Sequence, residues 1–101
     1  MVKSKLYDNT LYIGLSGDLD EHNAVQARKD IDKLLQKENY RQIIIDLSEL
    51  NFMDSTGIGV LIGRYKLVKD KGVSIFISSP NRQVDKIFSM TGIYNIMPKI
   101  V

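Results

Sequence analysis

Residues 42–66 read QIIIDLSELNFMDSTGIGVLIGRYK, and the order of elements within them decides the fold. Ile43, Ile44 and Ile45 stand in a row, the pattern of a strand buried on both faces. The chain then passes through Asp54 to Ser55, where a strand-end loop enters a helix. It continues with Ile58, Leu61, Ile62, Tyr65 and Val68 at helical spacing. The reading is a strand feeding directly into a helix of about Ser55 to Asp70, stopped near Gly72. Downstream, VSIFISS (73–79) is another short apolar strand. Ser79 and Pro80 then open a helix over NRQVDKIFSM, with Pro80 in its first turn and Gly92 closing it. The final NIMPKIV is expected to add a last strand, at the sheet edge because Pro98 cannot donate to a ladder.

Upstream, DLDEHNAVQARKDIDKLLQKEN (18–39) places Ala24, Ala27, Ile31, Leu34 and Leu35 on one helical face, with Asp20 as the natural N-cap. Before it, KLYDNTLYIGLSG (5–17) reads as a hairpin. Asp8 and Asn9 make its turn, and Leu11, Ile13 and Leu15 alternate along its second strand. Strands alternating with helices predict a single α/β domain over residues 1–101. Its central mixed sheet has an N-terminal hairpin and about three helices.

Composition narrows the function. A chain of 101 residues with 44% apolar content can bury one core. Its 14 basic and 12 acidic residues are interspersed, for a net charge of +2, and leave no electrostatic footprint of a nucleic-acid binder. There is no cysteine, hence no disulfide and no thiolate metal site. No stretch has the length of a membrane span or the pattern of a signal peptide, so the cytoplasm is the expected compartment.

Ser55 is the candidate for chemistry, and most chemistries fail on spacing. A hydrolase elbow is Gly-x-Ser-x-Gly, and Met53 stands where its first glycine belongs. The only histidine, His22, lies in the first helix start, where a solvated position suits it better than service as a base. Gly57, Gly59 and Gly63 form G-x-G-x-x-x-G, one residue too long for a dinucleotide fingerprint. The next strand ends in Ser78 and Ser79 without the ribose-binding acid. No Gly-Lys-Ser/Thr marks a P-loop. Asp18, Asp20, Glu21 and His22 resemble a solvated helix start more than a metal cluster. No cofactor or catalytic set is therefore expected.

Two readings of Ser55 remain: an N-cap, contributing about 1 kcal/mol, or a target for another enzyme. The face of the helix opposite its core residues carries Thr56, Val60, Gly63 and Leu67 where a solvent face would carry Lys, Glu or Gln. Either another element covers this face or a partner does, with Gly59 and Gly63 permitting close approach. Physics alone leaves both open.

GDLD (17–20), FMDSTGIGVLIGRYK (52–66) and IFSMTGIYNIM (87–97) resemble the anti-sigma factor antagonists of the STAS domain family, most nearly those of the sporulation sigma-F system. The likeness runs over essentially the whole chain, although the family's further C-terminal helix has no counterpart before Val101. The resemblance implies a non-enzymatic switch. The unphosphorylated antagonist binds a nucleotide-bound serine kinase that doubles as the anti-sigma factor, and sigma is freed. Phosphorylation of the serine after the motif's acid, Ser55 here, releases the antagonist, and a PP2C-type phosphatase resets it. Thr56 adds a second hydroxyl beside that serine. The expected partner surface comprises Asp20 of the GDLD loop, Asp54, Ser55, Thr56, Gly57, Gly59, Val60, Gly63, Arg64 and Leu67, on a protein monomeric when free. The alternatives are an antagonist in a general stress-response system and, from another class, a small nucleotide-binding module.

Overall fold

The computed structural model describes residues 1–100. Strand β1 (Val2–Tyr7) turns into β2 (Thr10–Leu19), followed by α1 (Ala24–Lys37), β3 (Gln42–Met53), α2 (Ser55–Val68), β4 (Ser74–Ser78) and α3 (Arg82–Thr91). Short 3-10 turns follow α2 and α3. The four strands form one sheet in the order β1-β2-β3-β4, antiparallel between β1 and β2 and parallel thereafter. The mixed sheet, the hairpin and the three helices agree with the sequence reading.

The hairpin forms for the reason its turn residues suggest. Asp8 and Asn9 both take positive φ (51° and 66°), the backbone of a tight two-residue turn that Asn and Asp tolerate best. Gly72 and Gly92 end their helical segments in the left-handed conformation, as expected of glycine just past a helix.

The sheet differs from expectation in one respect. Ile43, Ile45 and Leu47 are buried, but Ile44 between them is only half-buried. The strand order never reverses after β1, and crossovers between parallel neighbours share one hand. Successive helices therefore stack on a single face. Leu11, Ile13, Leu15, Ile43, Ile45, Ile75 and Ile77 point into that face and make the core with the helices. On the other face a row of paired residues, Tyr12, Ile44 and Phe76, remains partly accessible. β3 is thus covered on one face, not on two.

One helix start and the last strand also differ from expectation. Pro80 does not open α3. Asn81 is its N-cap, extended and accepting from the Val84 N–H at 2.9 Å, and Pro80 lies outside the helix before it. The Asn81 amide also donates to the Leu50 and Asn51 carbonyls, each at 3.1 Å, where β3 runs on past the end of β4. One side chain therefore caps a helix and satisfies the free edge of a strand. At the C-terminus a single bridge pairs Lys99 with Ile77, in place of the full strand expected. Ile77 donates to Pro98 O, and Ile100 donates back to Ile77 O. Pro98 sits at the sheet edge, as its missing N–H requires.

A small cluster anchors this segment. The Tyr94 hydroxyl donates to Asp85 Oδ1 at 2.6 Å, and Lys99 Nζ donates to the same oxygen at 3.0 Å. The Tyr94 hydrogen bond, seconded by Lys99, holds the Asp85 carboxyl below its usual pKa. Burial, then the bond to Asp85, raises the Tyr94 phenol.

Candidate functional site

The parallel pairing of β2 with β3 unites the two motifs that lie far apart in sequence. Leu19 and Met53, the last residues of these strands, are register partners. The loop beginning at Asp20 and the loop at Asp54 therefore emerge side by side at one end of the sheet. The Asp54 N–H reaches the Leu19 carbonyl at 3.4 Å, which ties the second loop to the first.

Asp54, not Ser55, caps α2. Its Oδ1 accepts from the Thr56 and Gly57 N–H groups at 2.9 and 3.1 Å, while its backbone is extended. This satisfies two of the orphan donors at the helix start. Ser55 is then the first residue of the helix. It is exposed, and among the described residues its hydroxyl makes no hydrogen bond. The capping role considered for Ser55 belongs to its neighbour, because the shorter reach from position 54 meets both N–H groups at once. Thr56 is likewise exposed.

Asp20 is close to its expected role but not in it. Its Oδ1 accepts from His22 N and Asn23 N at 3.0 and 3.2 Å. It closes a turn ahead of α1, whose N-cap position is Asn23. Asn23 donates through its amide to Asp18 O at 2.9 Å and so pins the loop to the strand it leaves. His22 is solvated, with its side chain 82% exposed and its Nδ1 3.9 Å from Asp20 Oδ1. Among the described residues, no three acidic or histidine side chains gather as a metal site, at Asp18–His22 or elsewhere.

The exposed face of α2 is narrower than the helical wheel suggests. Gly57, Val60, Leu61 and Val68 are buried, and Ile58, Ile62 and Tyr65 flank the core half-buried. Gly57 is interior for a steric reason. A Cβ there would lie 2.3 Å from Leu19 O and 2.8 Å from Met53 Cγ. Its missing side chain lets α2 lie flush on the ends of β2 and β3, so it cannot offer a contact to a partner. Val60 faces α1, so another element does cover that part of the stripe.

Arg64 also turns inward. Its Nε lies 2.9 Å from Asp32 Oδ1 on α1, with the N–H aimed off the oxygen. The contact is an ion pair rather than an aligned hydrogen bond, and only 13% of the Arg64 side chain is exposed. Gly59, Gly63 and Leu67 remain open. A Cβ at either glycine would meet nothing within 4 Å, and Leu67 is 51% exposed.

The structure thus brings Asp20, Asp54, Ser55, Thr56, Gly59, Gly63 and Leu67 to one surface. It places Val60 and Arg64 along the seam with α1 and removes Gly57 to the interior. Sequence reasoning missed the part α1 plays in that seam. The signal available was Val25, an apolar residue off the core periodicity of Ala24, Ala27 and Ile31, and 54% exposed in the fold.

The chain as a whole is similar to known proteins. Residues 2–101 match the model of the STAS domain. A protein of Paenibacillus polymyxa named anti-sigma F factor antagonist is 35% identical over 97 residues, covering 96% of this chain and 83% of the relative. The anti-sigma-B factor antagonist of Bacillus subtilis (strain 168) is 29% identical, covering 95% of this chain and 86% of the relative. Among solved structures, the anti-sigma factor antagonist SpoIIAA in its unphosphorylated form superposes with a TM-score of 0.82 at 26% identity. The match covers 100% of this chain and 89% of SpoIIAA. Its phosphorylated form superposes at 0.75 and 25% identity, covering 100% and 92%.

Proposed function

The chain belongs to the STAS domain family, and from that premise we propose that it is an anti-sigma factor antagonist switched by phosphorylation of Ser55. In the unphosphorylated state it binds a nucleotide-bound anti-sigma factor kinase in the cytoplasm, as a monomer, and so frees the sigma factor. Transfer of the ATP γ-phosphoryl group to the Ser55 hydroxyl ends the interaction, and a PP2C-type phosphatase restores it by hydrolysis. The observation that carries this reading is an exposed serine hydroxyl free of any structural duty, at the head of a helix whose outer face is bare. A serine that capped the helix would cost stability when modified. This one does not.

The mechanism follows from electrostatics. A phosphoserine carries about −1.5 to −2 charges at pH 7. At the first position of α2 it meets the positive end of the helix dipole, so the fold tolerates it. Asp54 and the Asp20 loop stand beside it and make a concentrated negative spot. A partner surface that accommodated the neutral hydroxyl would have to desolvate that charge without a new cation, and it lets go. Gly59 and Gly63 support the same reading, since each costs about 0.8–1.0 kcal/mol of helix stability against alanine. Bare backbone on an exposed face suits close approach by another surface.

The sigma-F system is the better supported setting, because the relative that carries that name is 35% identical, against 29% for the sigma-B antagonist. The test is direct. The protein is incubated with ATP and the kinase anti-sigma factor of either system, and the phosphate is mapped by mass spectrometry. Phosphate on Ser55 with the sigma-F kinase is the expected result, and the Ser55→Ala variant takes up none. Phosphate on Thr56 would overturn the site, and labelling only by the stress-response kinase would move the protein to that system.

A further inference from the structure

Between the N-terminal halves of α1 and α2 runs an open groove of about 300 Å³. It starts at Thr56, the neighbour of Ser55, and ends at the Arg64–Asp32 pair. Val60 forms part of its lining, with exposed Val25 from α1 and bare Gly59 from α2. Arg28, one helical turn after Val25, completes the α1 side.

Two features of this groove say what it takes. The first is its charge. Arg64 is committed to Asp32, whereas Arg28 makes no ion pair among the described residues. The groove thus offers one uncommitted guanidinium, a planar group suited to a carboxylate, next to apolar walls. The second is its size and chemistry. A space of about 300 Å³ open along one side holds one or two side chains, at the lower limit of small-molecule pockets.

We infer that this groove receives an aspartate or glutamate of the partner, carried between apolar residues that pack on Val25 and Gly59, with Arg28 as its counter-ion. The inference rests on the proposed function, since the occupant belongs to the anti-sigma factor kinase. It extends the docking surface from α2 onto α1. It also makes the charge pattern of the surface two-signed: acidic at Asp20 and Asp54, basic at Arg28. Such a pattern fixes the orientation of a partner more strictly than one sign alone. Phosphorylation then acts twice. A dianion on Ser55, the chain neighbour of groove-lining Thr56, adds negative charge at that end of the groove and repels the incoming carboxylate.

The test uses the kinase anti-sigma factor with bound ADP, titrated calorimetrically with wild type, Arg28→Glu, Arg28→Gln and Gly63→Gln. Arg28 is exposed and has no ion-pair partner among the described residues, so both of its variants should melt as wild type does. Arg28→Glu should weaken binding at least about tenfold, and Arg28→Gln by less. Reversing acidic residues of the kinase to arginine, one at a time, should identify one that restores binding to Arg28→Glu. Wild-type affinity in Arg28→Glu, with binding still weakened by Gly63→Gln, overturns the inference and leaves the proposed function standing. No binding by the wild type overturns the proposed function, and the inference with it.

Discussion

Gly57→Ala should be the most damaging of the three glycine substitutions in α2, although alanine is the better helix former. The added methyl would sit 2.3 Å from the Leu19 carbonyl oxygen, and that oxygen is backbone, held where β2 pairs with β3. No flexible side chain can swing aside, so α2 must tilt away from the sheet. Overpacking of this kind typically costs about 1–3 kcal/mol. The gain in helix propensity returns roughly 0.8–1.0 kcal/mol, leaving a net loss of up to about 2 kcal/mol. For a domain of this size each kcal/mol moves Tm by about 4–8 °C. Gly59→Ala and Gly63→Ala, where the methyl meets nothing within 4 Å, should instead gain nearly the full propensity difference and raise Tm. Thermal melts followed by circular dichroism separate the three. A Gly57→Ala protein stabilised as much as the Gly59→Ala and Gly63→Ala proteins would refute the clash with Leu19 O and return Gly57 to the partner surface.

Ser55→Ala should leave urea-unfolding stability within about 0.5 kcal/mol of wild type, as for a surface change away from any cap. Asp54→Ala should cost about 0.5–2 kcal/mol, since it loses a cap to two N–H groups; equal losses at both positions would contradict the assignment. Asp85 has a folded-state pKa below its unfolded value, so the stability it contributes is present above about pH 3.9 and is lost as pH falls through the folded pKa. Tyr94 has the opposite sign: its folded pKa is raised, and its contribution fades as pH climbs above about 10. Amide exchange at Ile100, whose N–H is held by Ile77, should report the clamp opening in acid, and Asp85→Asn should flatten that dependence. Asn81→Asp should keep the α3 cap yet expose the Leu50 and Asn51 carbonyls to a carboxylate, destabilising the domain by about 1–3 kcal/mol; a neutral result would mean that water replaces the amide.

The elements were legible wherever local chemistry decides them. Asp8 and Asn9 announce the hairpin turn, Gly72 and Gly92 announce the helix ends, and the apolar periods separate strand from helix. What failed was whatever depends on neighbours distant in sequence. Asp54 and Ser55 are both good N-caps, and only the backbone path out of β3 decides between them. Asp20 has the composition of a cap, yet the turn it closes delays α1 to Ala24. Three successive isoleucines suggested a strand covered on both faces, because the strand order that leaves Ile44 half-open is not a local property. The two bonds from Asn81 to β3 leave no trace in the sequence around either end. At the site, the motif residues were found by resemblance, while their division into surface, seam and interior came from packing. Gly57 and Gly59 look alike in sequence and differ only in that Leu19 O lies above one of them.

The central claim is that phosphate on Ser55 ends the interaction and leaves the fold intact. The most direct measurement titrates the ADP-bound kinase anti-sigma factor with unphosphorylated protein and with protein stoichiometrically phosphorylated on Ser55. The phosphorylated sample is first checked for wild-type melting. Binding should be tight for the first form and weaker by about 100-fold or more for the second, the penalty for desolvating a dianion for which the partner supplies no cation. Equal affinities for two folded samples would contradict it.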